Sequence, residues 1–488
     1  MKKRFHKKRK NRKSYCSIIA SGVLIALFIL FLFSNFKDNK TYEVILINEQ
    51  GNEEFYAEYS NFTQAKEVMM DNTDKNKKQN AAVQYNGKWI ALGYGTIQFQ
   101  NKDCTINTTY RTNHTNTTGY LNGCYGNDAA YIDTSENGTE VLFKQAGVSG
   151  WVNIEDVTLH NIYDQEDVSS INHYVVENNE LLHKITTNIN ENTYANTLNL
   201  GTINLTDGIY YSYDGHYFYR SYEDMIIDYR NETFESSSNK QPFYNYYQFL
   251  PHRSISNYTA EDINWYVRYY LGFSSTKESL LVNSGKWFME AQNKYGTNAV
   301  MMFCVAMNES NLGRSNLAYE KNNLFGHAAY DESPSQSANR FKNIEDSIHS
   351  HAKNFLHNKY LNSKSSVYHG GFFGDKASGM NVSYASDPYW GEKAADYYRN
   401  FDAIMKKKDS DISYVIANKS IDVYKDAALN DSILQLKYIP SSFLVLNQTN
   451  NSLQIIYDNE IDSENFYNSN NSIGYIKPDL TNNSYILQ

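Results

Sequence analysis

The chain has 488 residues, of which 45 are Lys or Arg and 54 are Asp or Glu, so its formal net charge is −9. This length excludes a single ordinary domain and predicts about three or four folding units. The basic residues are concentrated at the N-terminal end, beside an apolar segment that accounts for them. We therefore do not interpret them as a nucleic-acid-binding arm.

The N-terminal end combines a basic run with a long uncharged segment. Nine of the first thirteen residues are Lys or Arg, and residues 15–36 carry no charge. As a helix, this segment would be about 33 Å long, enough to cross a ~30 Å hydrocarbon layer. We predict a basic cytoplasmic tail over 1–14 and a transmembrane anchor over 15–36, which makes the lipid bilayer a partner and places the rest of the chain outside the cell. A cleaved signal peptide is the alternative, although FLFSNF offers no small-x-small cleavage site.

Four cysteines occur, in different surroundings. Cys104 and Cys124 flank a polar stretch rich in Thr and Asn, and a disulfide between them is compatible with an oxidising compartment. Their spacing does not decide whether they pair. Cys304 lies in an apolar run, where a buried inert thiol is expected.

Short alternating runs follow the apolar segment. Over 41–160, runs such as YEVILI and WIALGYGTIQF are broken by Gly and Asn and predict a β-rich region, whose close, AGVSGWVNIEDV, resembles bacterial SH3-like modules. Residues 161–204 are polar and irregular, which predicts a connector. Over 205–256, two aromatic runs flank Asp214-Gly215, a strong hairpin signal, so we expect a small aromatic β module there.

The pattern becomes helical from residue 257 to residue 408. Thr259 and Asp262 have the spacing of a capping box, and Gly296 is placed as a helix C-cap. From 411 to 488 short strands return, and SIGYIKP resembles the Gly-aromatic strand of a second SH3-like barrel.

Glu309 follows the most apolar stretch of the helical region. NAVMMFCVAM is apolar on every face, so a helix there would be buried at the domain centre, and Glu309 would lie at its C-terminal end. The helix dipole and the apolar surroundings both disfavour an ionised carboxylate, so we expect a raised pKa for Glu309. A carboxyl group that is still protonated near neutral pH suits the cleavage of glycosidic bonds, in which the leaving oxygen must receive a proton. An exposed glutamate at a helix end is the alternative interpretation.

Two motifs around Glu309 resemble a known family. ESNLGRSNLA and KNNLFGHAAYD are similar to the signature of glycoside hydrolase family 73, the endo-β-N-acetylglucosaminidases that cut bacterial peptidoglycan. Residues 205–405, with GIYYSYDGHYFYRSYED and SGMNVSYASDPYWGEKAA, resemble the catalytic region of streptococcal glucosaminidases that separate daughter cells. The positions that match the signature are Glu309, Gly313, Ser315, Asn322, Asn323, Phe325 and Gly326.

The resemblance implies a multidomain α+β chain with modules in series. It implies an SH3-like module, a small WW-like β module over 205–256, a mainly helical lysozyme-like catalytic domain over 257–408 and a C-terminal SH3-like β barrel over 411–488. Choline-binding repeats of those relatives are not found, so attachment to the wall is not carried over.

The resemblance also implies which residues form the site. With Glu309 as the acid, the second catalytic group is left open between a carboxylate, Asp331 or Asp387, and the acetamido group of the substrate itself. The resemblance favours Tyr384 to Trp390 as a wall of the cleft, with Tyr384 or Tyr389 stabilising charge near the reacting carbon. Asp387 has a competing role, because Asp-Pro commonly starts a turn or helix. The expected substrate-binding residues are Asn323, Phe325, Tyr330, Asp331, Tyr389 and Trp390.

We therefore expect a membrane-anchored hydrolase that cuts peptidoglycan after N-acetylglucosamine on the cell-wall side of the membrane. No metal or other cofactor is implied, because HExxH and CxxC motifs do not occur and His349 and His351 are spaced for different helix faces. A lytic transglycosylase that uses the same Glu309 and a non-catalytic wall-binding scaffold are the competing hypotheses.

Overall fold

The structure, a computed structural model, describes residues 40–100, 103–163, 170–272, 278–327, 338–459, 467–477 and 486–487. In these ranges, antiparallel sheets precede and follow a helical region in the order of the sequence. The assignment of the sheets to SH3-like or WW-like modules stays a prediction.

Two sheets form the N-terminal part and share a hydrophobic core, to which the first contributes Ile45 and the second Phe99. The first has the strand order β2-β1-β3-β4, with helix α1 packed on β1, and the second has the order β11-β5-β8-β9-β10-β6-β7. Their elements are β1 (Tyr42–Ile47), β2 (Glu53–Tyr59), α1 (Phe62–Asp71), β3 (Asn80–Tyr85), β4 (Lys88–Leu92), β5 (Gly95–Phe99), β6 (Thr108–Thr112), β7 (Thr118–Leu121), β8 (Asp128–Thr134), β9 (Glu140–Gln145), β10 (Val148–Asn153) and β11 (Val157–Asn161).

The edge of the second sheet carries a disulfide. Strands β6 and β7 form the edge hairpin, and Cys104 and Cys124, one on each side of it, are bonded to each other. The structure thus decides a pairing that the spacing left open.

A third sheet, of order β14-β13-β12-β15, leads to helix α2. A bridge between Tyr211 and Tyr219 closes a short turn around Asp214-Gly215, as the hairpin signal predicted. The second aromatic run does not continue as a strand, because the Ser221 side chain accepts a hydrogen bond from the Asp224 amide and starts a helix. The elements are β12 (His173–Glu177), β13 (Glu180–Ile185), β14 (Asn196–Thr202), β15 (Gly208–Tyr210) and α2 (Tyr222–Asn231).

The helical region is built around one fully buried helix, α6, against which the final helix, α9, packs. The capping box of Thr259 and Asp262 is confirmed, and Gly296 ends α5 with a positive φ of 60°. The helices are α3 (Tyr246–Phe249), α4 (Ala260–Leu271), α5 (Gly285–Tyr295), α6 (Ala299–Glu309), α7 (Asn316–Lys321), α8 (Ile344–Ser350), which continues as a π-helix over His351–Tyr360, and α9 (Trp390–Ile404).

The C-terminal sheet has the order β18-β17-β21-β20-β19-β16-β22 and packs on the helical core through Tyr414 and Leu444. Its strands are β16 (Tyr414–Ala417), β17 (Ile421–Tyr424), β18 (Ser432–Leu436), β19 (Ser441–Gln448), β20 (Leu453–Ile456), β21 (Ile473–Ile476) and β22 (Ile486–Leu487).

The predicted fold class, with its N-terminal transmembrane helix, and the predicted single-pass membrane localisation are corrected here. In the ranges that the structure describes, no helix is long and apolar enough to cross a bilayer. The longest α-helix there, α9, has 15 residues, and the fully buried α6 has 11, whereas a span needs about 20 apolar residues. The segment 15–36 itself lies outside the described residues.

Candidate active site

Helix α6 places Glu309 at the end of the domain's central core. Every residue from Ala299 to Met307 is buried, and the Asn298 side chain caps the first turn by accepting a hydrogen bond from the Met301 amide. At the other end, the Ser310 hydroxyl accepts a hydrogen bond from the Gly313 amide at 2.7 Å and turns the chain away. The Glu309 side chain is left partly buried, where the helix ends and a cleft begins.

Trp390, the first residue of α9, holds the Glu309 carboxyl. Its indole Nε1–H donates to Oε1 of Glu309 over 2.7 Å. The indole itself is 3% exposed and contacts the Phe373 ring edge to face, at 5.8 Å between centroids. The donor is therefore fixed by packing before any ligand arrives.

Burial sets the protonation of Glu309. The pKa of the Glu309 carboxyl is raised to about 7, mainly by burial; the Trp390 hydrogen bond partly offsets this rise, and the nearby negative charge of Asp387 adds to it. Near neutral pH, the carboxyl is therefore present in both its protonated and its ionised form.

Glu309 faces a cleft of about 740 Å³. Gly326 faces the carboxyl, and its φ of +63° is one that glycine adopts readily; a Cβ atom at this position would lie 3.5 Å from Oε2 of Glu309. The cleft is lined by Asn107, Tyr120, Tyr125, Asn308, Glu309, Phe325, Gly326, His327, Phe355, Tyr360, Tyr384, Ala385, Ser386, Asp387, Trp390 and Lys393.

Tyr384 lies in the cleft wall beside the carboxyl. Its ring stacks on Trp390 at 4.4 Å between centroids, and its buried hydroxyl has no hydrogen-bond partner among the described atoms. Burial, and next the charge of Glu309, raise the pKa of Tyr384 well above its usual value, so its hydroxyl is neutral and able to donate.

Asp387 also lines the cleft, but both of its oxygens have partners. Oδ2 accepts from the Lys393 ammonium at 2.6 Å, and Oδ1 accepts from the Tyr389 amide at 2.9 Å. These contacts tie the segment before α9 to the first turn of that helix.

With this geometry established, the comparisons with known proteins place the site in a family. Residues 285–403, which include both Glu309 and Trp390, match the family model described as Glucosaminidase, mannosyl-glycoprotein endo-β-N-acetylglucosaminidase. Residues 285–403 are a glucosaminidase-family domain. This match confirms the resemblance that the motifs around Glu309 indicated.

The glucosaminidase domain also has curated relatives in Streptococcus pneumoniae. Two proteins, from strains TIGR4 and R6, are provisionally named endo-β-N-acetylglucosaminidases and are 38% identical to this chain over 154 residues. The match covers 32% of this chain, and 22% and 20% of the two relatives. The chain thus spans about a fifth of the length of the curated relatives it matches.

Two solved structures are similar to part of the chain. One is a catalytic mutant of S. aureus autolysin E in complex with the disaccharide NAG-NAM, at 20% identity and a TM-score of 0.25, covering 32% of this chain and 72% of that one. The other, a major bifunctional autolysin, is 22% identical with a TM-score of 0.24 and covers 33% and 69% of the two chains.

Of two predicted binding residues near Glu309, one lines the cleft and the other lies behind it. Phe325 lines the cleft and stacks on the His351 ring at 3.8 Å between centroids. Asn323 lies behind it, 1% exposed, where its side-chain oxygen accepts from the His327 amide and its amide group donates to the carbonyls of His327 and Asn339. Asn323 thus holds the 323–327 turn and does not line the cleft.

Tyr389 points away from the cleft. It is 3% exposed, belongs to the core of the third sheet, and its hydroxyl accepts from the Asn172 side chain at 3.1 Å. Tyr330 and Asp331 lie outside the described residues. The site therefore brings together Glu309, Phe325, Tyr384, Asp387 and Trp390 out of the predicted set.

The sequence did not reveal that the N-terminal part contributes to the cleft. Asn107, Tyr120 and Tyr125 come from in and around the disulfide-bonded hairpin, more than 180 residues before Glu309. Lys393 was also missed, because Asp387 precedes the helix and their separation of six residues does not match a helical pair spacing. A possible metal-ligand group among the described residues, Glu290, Glu345 and His349, does not line the cleft.

Proposed function

We propose that this protein is a peptidoglycan hydrolase, an endo-β-N-acetylglucosaminidase that cuts the β-1,4 bond after N-acetylglucosamine with Glu309 as its general acid. The observation that carries the proposal is a partly buried carboxyl with a pKa of about 7 that faces an open cleft inside a glucosaminidase-family domain. The name of the pneumococcal relatives supports the bond that is cut.

In the proposed reaction, the protonated Glu309 carboxyl gives its proton to the leaving glycosidic oxygen as the bond breaks. Trp390 orients the carboxyl through Oε1, which leaves Oε2, the oxygen nearer Gly326, as the atom that holds the proton. The Tyr384 hydroxyl, neutral and buried beside Glu309, donates a hydrogen bond to an oxygen of the bound sugar.

The second catalytic role falls to the substrate rather than to Asp387. The Asp387 carboxylate accepts from the Lys393 ammonium and from the Tyr389 amide, contacts that hold it against the first turn of α9 and favour a positioning role for it. We propose that the acetamido oxygen of the substrate attacks the sugar carbon, as in glycosidases that depend on substrate assistance. Water then attacks the same carbon, the bond from that carbon to the acetamido oxygen breaks, and Glu309, ionised after the first step, accepts the proton of the water and is restored.

The test uses the full chain, wild type beside Glu309→Gln, incubated with purified peptidoglycan. Glu320→Gln makes the same chemical change at an exposed position outside the cleft and serves as the control. Products are reduced with borohydride and identified by mass spectrometry. We expect reduced N-acetylglucosamine ends from the wild type and the control, and a loss of at least ~10³-fold in Glu309→Gln.

Other products would change the assignment. Ends of 1,6-anhydro-muramic acid would make the protein a lytic transglycosylase that uses the same carboxyl. If the protein binds peptidoglycan and no variant releases product, the enzymatic proposal fails and a wall-binding scaffold takes its place.

A further inference from the structure

Residues 120–126, from the end of β7 into the loop before β8, support the cleft wall from behind. The Asn122 amide donates to the Ser386 carbonyl at 2.9 Å, and the Tyr120 hydroxyl donates to the Ser383 carbonyl at 3.0 Å. Further along, a Cβ atom at Gly126 would lie only 2.7 Å from Cγ of Pro388, so the Gly126 backbone packs closely against the Pro388 side chain. Residues 120–126 thus contact the wall segment 383–388 along most of its length.

A buried lysine joins the same two segments. Lys376 is 2% exposed, and its ammonium donates to the carbonyls of Asn381 and Ala385 at 3.0 and 2.6 Å. It also lies 4.8 Å from the centre of the Tyr120 ring, a cation–π contact. Tyr120 therefore touches the wall through its hydroxyl and, by way of Lys376, through its ring.

The hairpin that carries these contacts lies at the edge of its own sheet. Strand β7 is an edge strand, and β6 pairs with β10 through two residue pairs, Gly150 with Thr112 and Trp151 with Arg111. At the opposite end, the Cys104–Cys124 disulfide closes the loop, and Asn122 donates to the Cys104 carbonyl and accepts from the Cys124 amide. The disulfide is the covalent restraint on the end of the hairpin that contacts the wall.

We infer that the Cys104–Cys124 disulfide is a positioning element of the active site, which holds residues 120–126 against the wall segment that carries Tyr384 and Asp387. In this role it touches no reacting atom. Opening the disulfide releases the support, widens the range of positions that the wall occupies and weakens substrate binding. The effect on catalysis rests on the proposed function, whereas the effect on the wall does not.

The disulfide is opened by thiol–disulfide exchange with a dithiol such as dithiothreitol. The reductant gives two electrons and two protons, becomes a cyclic disulfide, and leaves Cys104 and Cys124 as thiols. The double variant Cys104→Ala/Cys124→Ala gives the same open state without a reductant.

The first measurement is hydrogen–deuterium exchange on the full chain, oxidised, reduced and as the double variant. The amides of Ser383, Tyr384 and Trp390 are hydrogen-bonded within the wall, so their exchange reports its order. We expect exchange over 381–390 to rise roughly five- to tenfold in both open forms, as for the loss of one or two hydrogen bonds, while α6 stays protected. Unchanged exchange over 381–390, or an equal rise throughout the chain, would overturn the inference.

The second measurement separates positioning from simple stability. If the wall segment loosens, KM for soluble peptidoglycan fragments rises several-fold while kcat falls less. If a fraction of the protein merely unfolds, kcat falls and KM stays constant. The second outcome would overturn the inference. Tyr120→Phe removes the hydroxyl that binds the Ser383 carbonyl and should show a smaller effect in the same direction. Tyr163→Phe is the matched control, because it removes a hydrogen bond to Glu223 away from the cleft.

The two proposals fail separately. If no form of the protein cleaves peptidoglycan, the proposed function is wrong, and the exchange of 381–390 still decides the role of the disulfide. If the oxidised and reduced proteins cleave with the same KM and show the same exchange, the disulfide is not a positioning element and the proposed function is unaffected.

Discussion

Trp390 donates its indole N–H to Oε1 of Glu309 across 81 residues of sequence, and the two side chains belong to the two helices that pack at the centre of the glucosaminidase domain. A carboxyl held by a single neutral donor remains free to gain and lose a proton. An Arg or Lys in the place of Trp390 would hold the carboxyl ionised. The indole therefore fixes the orientation of Glu309 at a modest cost to its raised pKa.

The raised pKa of Glu309 predicts a specific pH dependence. A general acid must be protonated, so kcat/KM should fall with unit slope as the pH rises through about 7. Initial rates on soluble glycan fragments between pH 5 and 9 test this. A profile that stays flat through pH 8 would contradict the assignment of Glu309 as the acid.

The same shift predicts how stability changes with pH. The folded state binds the Glu309 proton up to about pH 7, whereas the unfolded state releases it near the ordinary value of 4.5. The stabilising contribution is therefore complete below pH 4.5 and is lost as the pH rises through 7. The Glu309→Gln variant carries no charge, so from pH 5 to pH 8 it should gain on the order of 1–3 kcal/mol relative to wild type. Thermal denaturation at both pH values measures the difference, with Glu320→Gln expected to show none.

Trp390→Phe should change the pH profile as well as the rate. Loss of the indole donor removes an interaction that lowers the pKa of Glu309, so the alkaline limb should move to higher pH. Loss of orientation should lower kcat by roughly tenfold. Trp287→Phe, in a half-buried position on α5 that does not line the cleft, is the control. If the rate falls while the alkaline limb of the pH profile stays at the same pH, Trp390 acts only through packing.

The central part of this site was predictable because it depends on local patterns. Ala299–Met307 is apolar on every face, which required burial and placed Glu309 where the apolar surroundings end. The capping box of Thr259 was also predictable from a local pattern, because its two partners are three residues apart. Tyr384 and Trp390 were identified as the cleft wall only through the family resemblance.

The remaining features depend on contacts between distant segments, which local patterns do not contain. Tyr389 stands beside Trp390 in sequence, yet the first turn of α9 directs it into the core of the third sheet, where it meets His183. Asn323 matches the family motif, but its polar atoms are used by the turn that they hold. The hairpin of Tyr120 reaches the wall through the Ser383 carbonyl, 263 residues further along the chain, and no residue in the hairpin signals this contact.

Gly326→Ala tests how closely the cleft is fitted to Glu309. Alanine at a φ of +63° costs about 1 kcal/mol, and its Cβ atom lies 3.5 Å from Oε2 of Glu309, the oxygen that we expect to carry the proton. We expect a loss of stability together with a fall in kcat of at least ~10-fold. Gly87→Ala, at a φ of +74° with no atom within 4 Å of its Cβ, imposes the same strain without the crowding. Equal losses of activity in the two variants would show that strain alone is responsible.

Asp387→Asn distinguishes a catalytic base from a residue that positions the wall. The Asp387 charge raises the pKa of Glu309, so its removal should move the alkaline limb of kcat/KM to lower pH, with a loss of roughly tenfold in rate from the broken contact with Lys393. A base would instead show a loss of ~10³-fold or more and the disappearance of any acid limb. Asp133→Asn, which breaks an equally close pair with Lys66 outside the cleft, controls for the loss of an ion pair. If Asp387→Asn is as slow as Glu309→Gln, Asp387 takes part in the reaction as a base, and the acetamido mechanism is wrong.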